Sequence, residues 1–265
     1  MSHASEARTS ALDAVGDRVG ATPGVSGDLF GVVDALEANP AVRKSLADPG
    51  LPTEARKGLA HQLFDGKVSA EAVEVLAEGS ALRMSGGAAL LAAIERQGIR
   101  AELRLAEQDG TLAEVEDELF RFGRLVQSDN ALREAIAGRT VPLAHRQELV
   151  RGLLAGKAKE STVRLAERAV AARERTFDNT LTGYVTLAAQ LRQRTVATVT
   201  VARPLSEEQV ERLGAALGKQ VGRPVAIQVV VDPDVVGGVR VTLGDEVIEG
   251  TVSGRLEQAR RGLTH

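Results

Sequence analysis

The sequence contains no cysteine and no tryptophan. With one tyrosine and five phenylalanines, aromatics make up only 2% of its 265 residues. The absence of cysteine excludes disulfides, thiolate nucleophiles, cysteine-ligated zinc and iron–sulfur clusters. The scarcity of aromatics speaks against base-stacking platforms for single-stranded nucleic acid. It also predicts a core built from Ala, Val, Leu and Ile. Long apolar runs are missing as well. Stretches such as Ala88 to Ile94 fall far below the roughly 20 residues that span a bilayer. The start, Met1-Ser2-His3-Ala4-Ser5-Glu6, shows no secretory pattern. No direct membrane insertion is expected, and any work at a membrane goes through a partner. Net charge is -3, so no basic field draws the chain to nucleic acid.

What is present is helical periodicity. Leu29, Val32, Val33 and Leu36 recur at helix spacing, as do Leu119, Phe122, Leu125, Val126 and Val163, Ala166, Val170. Asn39-Pro40, Asp48-Pro49-Gly50, Gly66 and Gly156 divide this pattern into short helices. Thr111 with Glu114 has capping-box spacing. After Arg194 the period changes to alternation over Ala197–Ala202. Ser206 and Gln209 then form a second capping box, with Leu205 and Val210 placed as a hydrophobic staple. Strand patterns follow at Val225–Val231, Val239–Leu243 and Val247–Ile248. Asp232, Gly237, Gly238, Gly244, Asp245 and Gly250 mark the turns. A last helix is expected from Val252 to Arg261. The predicted fold is mainly α with a small α+β C-terminal domain: two tandem helical bundles followed by a β-α-β-β-β-α unit.

The two bundles are copies of each other. A shift of 90 residues aligns positions 29–83 with 119–173 without a gap, giving 14 identities over 55 positions. They include Leu29/Leu119, Phe30/Phe120, Pro52/Pro142, Arg56/Arg146 and Gly66-Lys67/Gly156-Lys157. Composition alone would give about 4–6, so the repeat stands. The domains are then 1–98, 99–195 and 196–265. Their net charges are -4, +2 and -1, so the copies share a scaffold but not a surface.

Chemistry has little support. His61 and His145 stand alone, and neither HExxH nor GxSxG occurs. Gly79-Ser80, Gly86-Gly87 and Gly237-Gly238-Val239 match no phosphate-binding loop or dinucleotide fingerprint. The acidic run Glu114, Glu116, Asp117, Glu118 reads as a solvated helix face rather than a metal cluster. Arg164, Arg168, Arg173 and Arg175 form a basic cluster, either a solvated face or a patch for an acidic partner helix. No catalytic, metal or cofactor site is expected. The nearest thing to an enzyme site is Asp232, Asp234, Asp245 and Glu249 near turns, without a pocket implied.

The C-terminal residues carry a resemblance. The segment from Val231-Asp232-Pro233 through Gly237-Gly238-Val239, Leu243-Gly244-Asp245 and Glu249-Gly250-Thr251 to Leu256 resembles the closing segment of the ATP synthase delta subunit. That family is the bacterial counterpart of the oligomycin-sensitivity-conferring protein. Ala202-Arg203-Pro204-Leu205-Ser206 and the helix after it match too. Glu249-Gly250-Thr251 stands where the family usually has Asp-Gly-Ser. The second bundle, from Ala106 through Leu119 to Arg173, is also similar, so the resemblance covers about 99–265. The extra first bundle looks like the actinobacterial form.

The resemblance implies a non-catalytic stator subunit on the cytoplasmic face of the plasma membrane. It would join the alpha/beta catalytic head to the b-type peripheral stalk and couple rotor torque to ATP synthesis. The implied partners are alpha-subunit N-terminal helices and the b-type subunit, with the beta subunit as a further neighbour, and no self-association. The family's groove lies between the bundle's first and fifth helices, here about 99–106 and 161–173. It implies contacts at Leu103, Val163, Ala166, Val170 and Arg173, and at Val15, Val73 and Leu76 in the first copy. The rival reading is an unrelated helical-repeat adaptor.

Overall fold

A computed structural model describes residues 3–138, 140–172, 176–221, 225–232, 238–243 and 246–249. The chain divides into two compact units, 1–188 and 189–265.

The first unit is all helix. It holds α1 (His3–Val19), α2 (Val25–Ala38), α3 (Pro40–Leu46), α4 (Thr53–Phe64), α5 (Ala70–Ala81) and α6 (Gly87–Gln108). Then come α7 (Leu112–Ser128), α8 (Asn130–Ala137), α9 (Leu143–Leu154), α10 (Glu160–Val170) and most of α11 (Phe177–Thr195). Pro40 opens α3 at its first position, where its missing N–H costs nothing. Leu112, Val115, Leu119, Phe122 and Val126 line the buried side of α7, as their 3.6-residue period requires. Thr111 does precede α7, but its hydroxyl donates to the Ala106 carbonyl instead of capping, and Glu114 pairs with Lys159 at 2.8 Å. The capping box expected there does not form, because the Thr111 amide already donates to the Ala106 carbonyl at 2.7 Å.

The 90-residue repeat is visible in the elements. α4 and α9 each span 12 residues in register, and Gly66 and Gly156 follow them at φ 72° and 70°. Asp28 accepts a hydrogen bond from the Ser69 amide at 2.9 Å, and its counterpart Glu118 accepts one from the Lys159 amide at 2.9 Å. In both copies an acid on the second helix thus caps the positive end of the fifth. The same shift carries α1 onto the C-terminal part of α6. α6 is therefore the last helix of the first copy and the first helix of the second. The division drawn at 98/99 falls inside this continuous helix.

Sharing α6 buries it on every side. Gln97, Gly98, Ile99, Arg100, Ala101, Glu102, Leu103 and Arg104 are all buried. Its charges are paired. Asp13 of α1 receives Arg96 at 2.9 Å, Gln97 at 2.7 Å and Arg100 at 3.2 Å. Asp17 receives Arg100 at 2.9 Å and also pairs with Arg104, which donates to the Gly16 carbonyl at 2.7 Å. A Cβ on Gly16 would come within 2.5 Å of the Gln97 side chain, so glycine lets α1 close on α6. Burial pushes the Asp13 carboxyl up, but the Arg96 hydrogen bond and the Arg100 and Arg96 charges outweigh it, and the group stays below its ordinary value.

The second unit is a four-stranded sheet of order β2-β1-β3-β4 carrying α12 (Glu207–Val221). Its strands are β1 (Val196–Val201), β2 (Ala226–Val231), β3 (Val239–Leu243) and β4 (Glu246–Glu249). β1 pairs parallel with β2 across the α12 crossover and antiparallel with β3. Ala197, Val199 and Val201 alternate inward onto Leu213 and Leu217 of α12. The Ser206 capping box forms: the Ser206 amide donates to Gln209 Oε1 at 2.9 Å and the Gln209 amide to Ser206 Oγ at 3.3 Å. The Asp232 amide extends the ladder to the Val201 carbonyl, and Gly238 turns at φ 83°. Gly237, Gly244, Asp245, Gly250 and the expected helix at 252–261 lie outside the described residues.

Replacing Asp13 with Ala leaves Arg100 buried with one of its two carboxylates gone. Removing one partner of a buried pair costs about 3–5 kcal/mol, so the expected outcome is a loss of that order in chemical denaturation. Because the folded pKa is lowered, this stabilisation is present above the unfolded value near 3.9. It disappears as pH falls through the lower folded value, and Asp13→Asn flattens that part of the pH profile.

Candidate partner-binding grooves

The residues implied for the second groove come from α6 and α10, and the structure brings them together. Leu103, Ala166 and Val170 are buried in the chain's own core, and Val163 is half-buried. Arg164 reaches across to Glu102 at 2.9 Å, and Glu102 is 2% exposed. Arg168 donates to Glu95 at 2.7 Å and to Asp34 at 2.7 Å, and its guanidinium lies 4.8 Å from the centre of the Phe30 ring. Asp34 and Phe30 belong to α2 of the first copy. α2 therefore packs along α6 and reaches α10 through Arg168. The basic cluster meets acids, but acids of its own chain. Arg173 and Arg175 lie outside the described residues.

A glycine makes this contact possible. A Cβ at Gly98 would stand 2.6 Å from the Phe30 ring, so the ring packs directly on the α6 backbone. Burial disfavours the Arg168 charge, but Glu95 and Asp34 more than offset it, and the net effect holds the guanidinium more firmly protonated. Burial also pushes the Tyr184 hydroxyl well above its ordinary value, with Glu95 adding to it.

The corresponding groove of the first copy lies between α1 and α5. Val73 and Leu76 are fully buried and form its floor, and half-buried Val15 lies at its edge. Its rim is Arg8, Ala11 and Val15 on α1, with Glu71, Glu74 and Glu78 on α5. Ala7, Ala11 and Ala14 are exposed. Arg18 pairs with Glu74 at 3.2 Å and Lys57 with Glu78 at 2.5 Å. The edge is acidic and small-residue, and it stays accessible to an amphipathic helix with a basic flank.

Elsewhere the chemistry is local. His61 pairs with Asp65 one turn on, and both are exposed. Among the described residues no group of three or more His, Asp or Glu could hold a metal ion. In the acidic run, Glu114 pairs with Lys159, Asp117 with Arg121, and Glu118 accepts from Thr162 at 2.6 Å. Sequence reasoning missed the α1–α6 ion pairs. Their signal was present: Arg96, Arg100 and Arg104 recur every four residues, as do Asp13 and Asp17, so each set shares one helix face.

A sequence model of the ATP synthase delta (OSCP) subunit matches residues 100–263. The chain belongs to that family. Proteins called ATP synthase subunit delta are similar along nearly the whole chain. The one from Cutibacterium acnes is 41% identical over 252 residues, covering 95% of this chain and 96% of its own length. That of Streptomyces coelicolor is 42% identical over 254 residues, covering 95% and 93%. That of Kineococcus radiotolerans is 40% identical over 246 residues, covering 92% and 89%. The family model begins inside α6, whereas these relatives extend through the first copy as well. The extra bundle is thus a feature they share.

Two measurements check the inter-copy contact. In double-mutant cycles with Arg168→Ala, the coupling to Glu95 is expected to exceed that to Asp34, because Asp34 is more exposed and screened. The larger value should lie within about 0.5–3 kcal/mol. Gly98→Ala forces Phe30 off α6 and is expected to cost about 1–3 kcal/mol in thermal or denaturant unfolding.

Proposed function

We propose that this chain is the peripheral-stalk subunit that ties the catalytic head of an F-type ATP synthase to its b-type stalk. It makes and breaks no bond. Its work is to hold the head against the torque of the rotor, so that proton flow is coupled to ATP synthesis. The observation that carries this reading is the family match across the second bundle and the C-terminal unit, joined by relatives matched over 95% of the chain. The subunit sits peripherally at the cytoplasmic face of the plasma membrane. Among the described residues no helix is long and apolar enough to cross a membrane.

The head-side contact is an alpha-subunit N-terminal helix in the α1–α5 groove. The reason is the difference between copies: Arg168 of α10 is already engaged by Phe30 and Asp34 of α2, while exposed Ala11 and half-buried Arg8 and Val15 lie beside Glu71, Glu74 and Glu78. The C-terminal unit takes the end of the b-type stalk, with the beta subunit as a further neighbour. α6 then transmits load between the copies, since buried ion pairs fix both α1 and α10 to it.

Ala11→Arg places a long cation on the groove rim without touching the core. Titrating an alpha N-terminal peptide into the full chain is expected to show at least tenfold weaker binding with an unchanged melting temperature. Equal binding would remove the groove assignment. Failure of the wild-type chain to co-purify with alpha and b-type subunits would remove the stalk reading itself.

A further inference from the structure

The repeat exposes a second groove whose use the chain itself demonstrates. In the first copy, α2 and α6 together receive α10: Arg168 stacks on Phe30 and pairs with Asp34 and Glu95. Ninety residues on, α7 and α11 form the same pair of helices. Phe120 replaces Phe30, Arg124 replaces Asp34, Val185 replaces Glu95 and Ala188 replaces Gly98. Among the described residues nothing occupies the position that α10 takes in the first copy. Phe120 is 55% exposed, and a cavity of about 130 Å³ opens between Phe120, Gly123, Arg124, Leu181 and Val185. The buried methyl of Ala188 accounts for the turned-out ring, because it fills the space that Gly98 leaves for Phe30.

The charge of the groove is reversed. Where the first copy offers two carboxylates to an arginine, the second offers Arg124, exposed and without a carboxylate partner among the described residues. Asp178, in the first turn of α11, is the one acid of the lining. We propose that the α7–α11 groove docks an amphipathic partner helix. That helix carries a carboxylate at the centre of its docking face, where α10 carries Arg168. Its apolar residues cover Phe120 and Leu181 while its carboxylate meets Arg124, a charge-assisted contact shielded by the ring. This surface is separate from the α1–α5 groove and does not depend on the stalk reading.

The probe is a labelled helical peptide with residues 157–172 of this chain and the substitution R168E, titrated into the purified full chain by fluorescence anisotropy. The R168E peptide is expected to bind at least tenfold tighter than the unchanged Arg168 peptide. Chain variant R124E should reverse that preference, and F120A should weaken both peptides at least fivefold without lowering the melting temperature. Amide shifts on binding should fall at Gly123, Arg124 and Thr182. Absence of saturable binding, a preference that R124E leaves unchanged, or shifts confined to α1 and α5 would overturn the proposal. Sedimentation velocity supplies the last arm, because α5 carries Glu78 at the Arg168 position. If the chain self-associates and R124E abolishes this, the occupant is a second copy and the separate partner helix is overturned.

Discussion

Arg100 sits at 1% exposure in the middle of α6, and everything around it follows from keeping its charge compensated. Taking a guanidinium out of water is worthwhile only if carboxylates and hydrogen-bond acceptors come with it. Asp13 and Asp17 supply them from α1, and Glu102 and Arg164 repeat the arrangement on the α10 side. Apolar packing already favours one position by shape. A helix also held by charges at fixed spacing has a single register. α6 is therefore a rod with two defined faces, one for each copy of the bundle.

Sharing that rod makes two similar sequences behave differently. The second copy uses α6 as its first helix, so α2 of the first copy already packs along α6 and engages Arg168 of α10. The first copy uses α1 in the same role, and α1 keeps a rim of exposed Ala11 and half-buried Arg8 and Val15. The asymmetry is topological before it is chemical. Substitution then follows it: α5 carries Glu74 and Glu78 where α10 carries Arg164 and Arg168, which supplies four of the six charges by which the two bundles differ. One of the few aromatics stands at the junction between the copies, and two others meet inside the second copy. Phe30 lies under Arg168, and Phe122 meets Phe177 edge-on at 5.8 Å.

Most of the fold was legible because it rests on local signals. Helix period, proline at helix starts, glycine after helix ends and the Ser206–Gln209 box all act within a few residues, and each appears where its pattern predicts. The repeat was legible because turn residues cannot drift without breaking the turn. The division at 98/99 was not, since nothing local distinguishes a helix that ends one copy from a helix that ends one and begins the next. The groove residues show the same limit. Leu103, Ala166, Val73 and Leu76 have the apolar character of contact residues, but period alone does not separate a core face from an interface face. The buried charges of α6 were the better clue, because four-residue spacing of Arg96, Arg100 and Arg104 against Asp13 and Asp17 already specifies two helix faces that match.

A repeat that docks its fifth helix onto the preceding copy has to stop somewhere. If the α7–α11 groove had kept the acids of the α2–α6 groove, an α10 helix opened away from its own chain would find Phe120 and two carboxylates waiting, and chains could add head to tail. Arg124 opposes an incoming Arg168 with a like charge, and Val185 removes the second acceptor. Both act against a helix with the charge of α10. The ring of Phe120 nevertheless stays at the surface, although a polar residue would have ended the array more simply. The groove thus rejects its own repeat while keeping the apolar anchor and the cation that a helix of opposite charge requires.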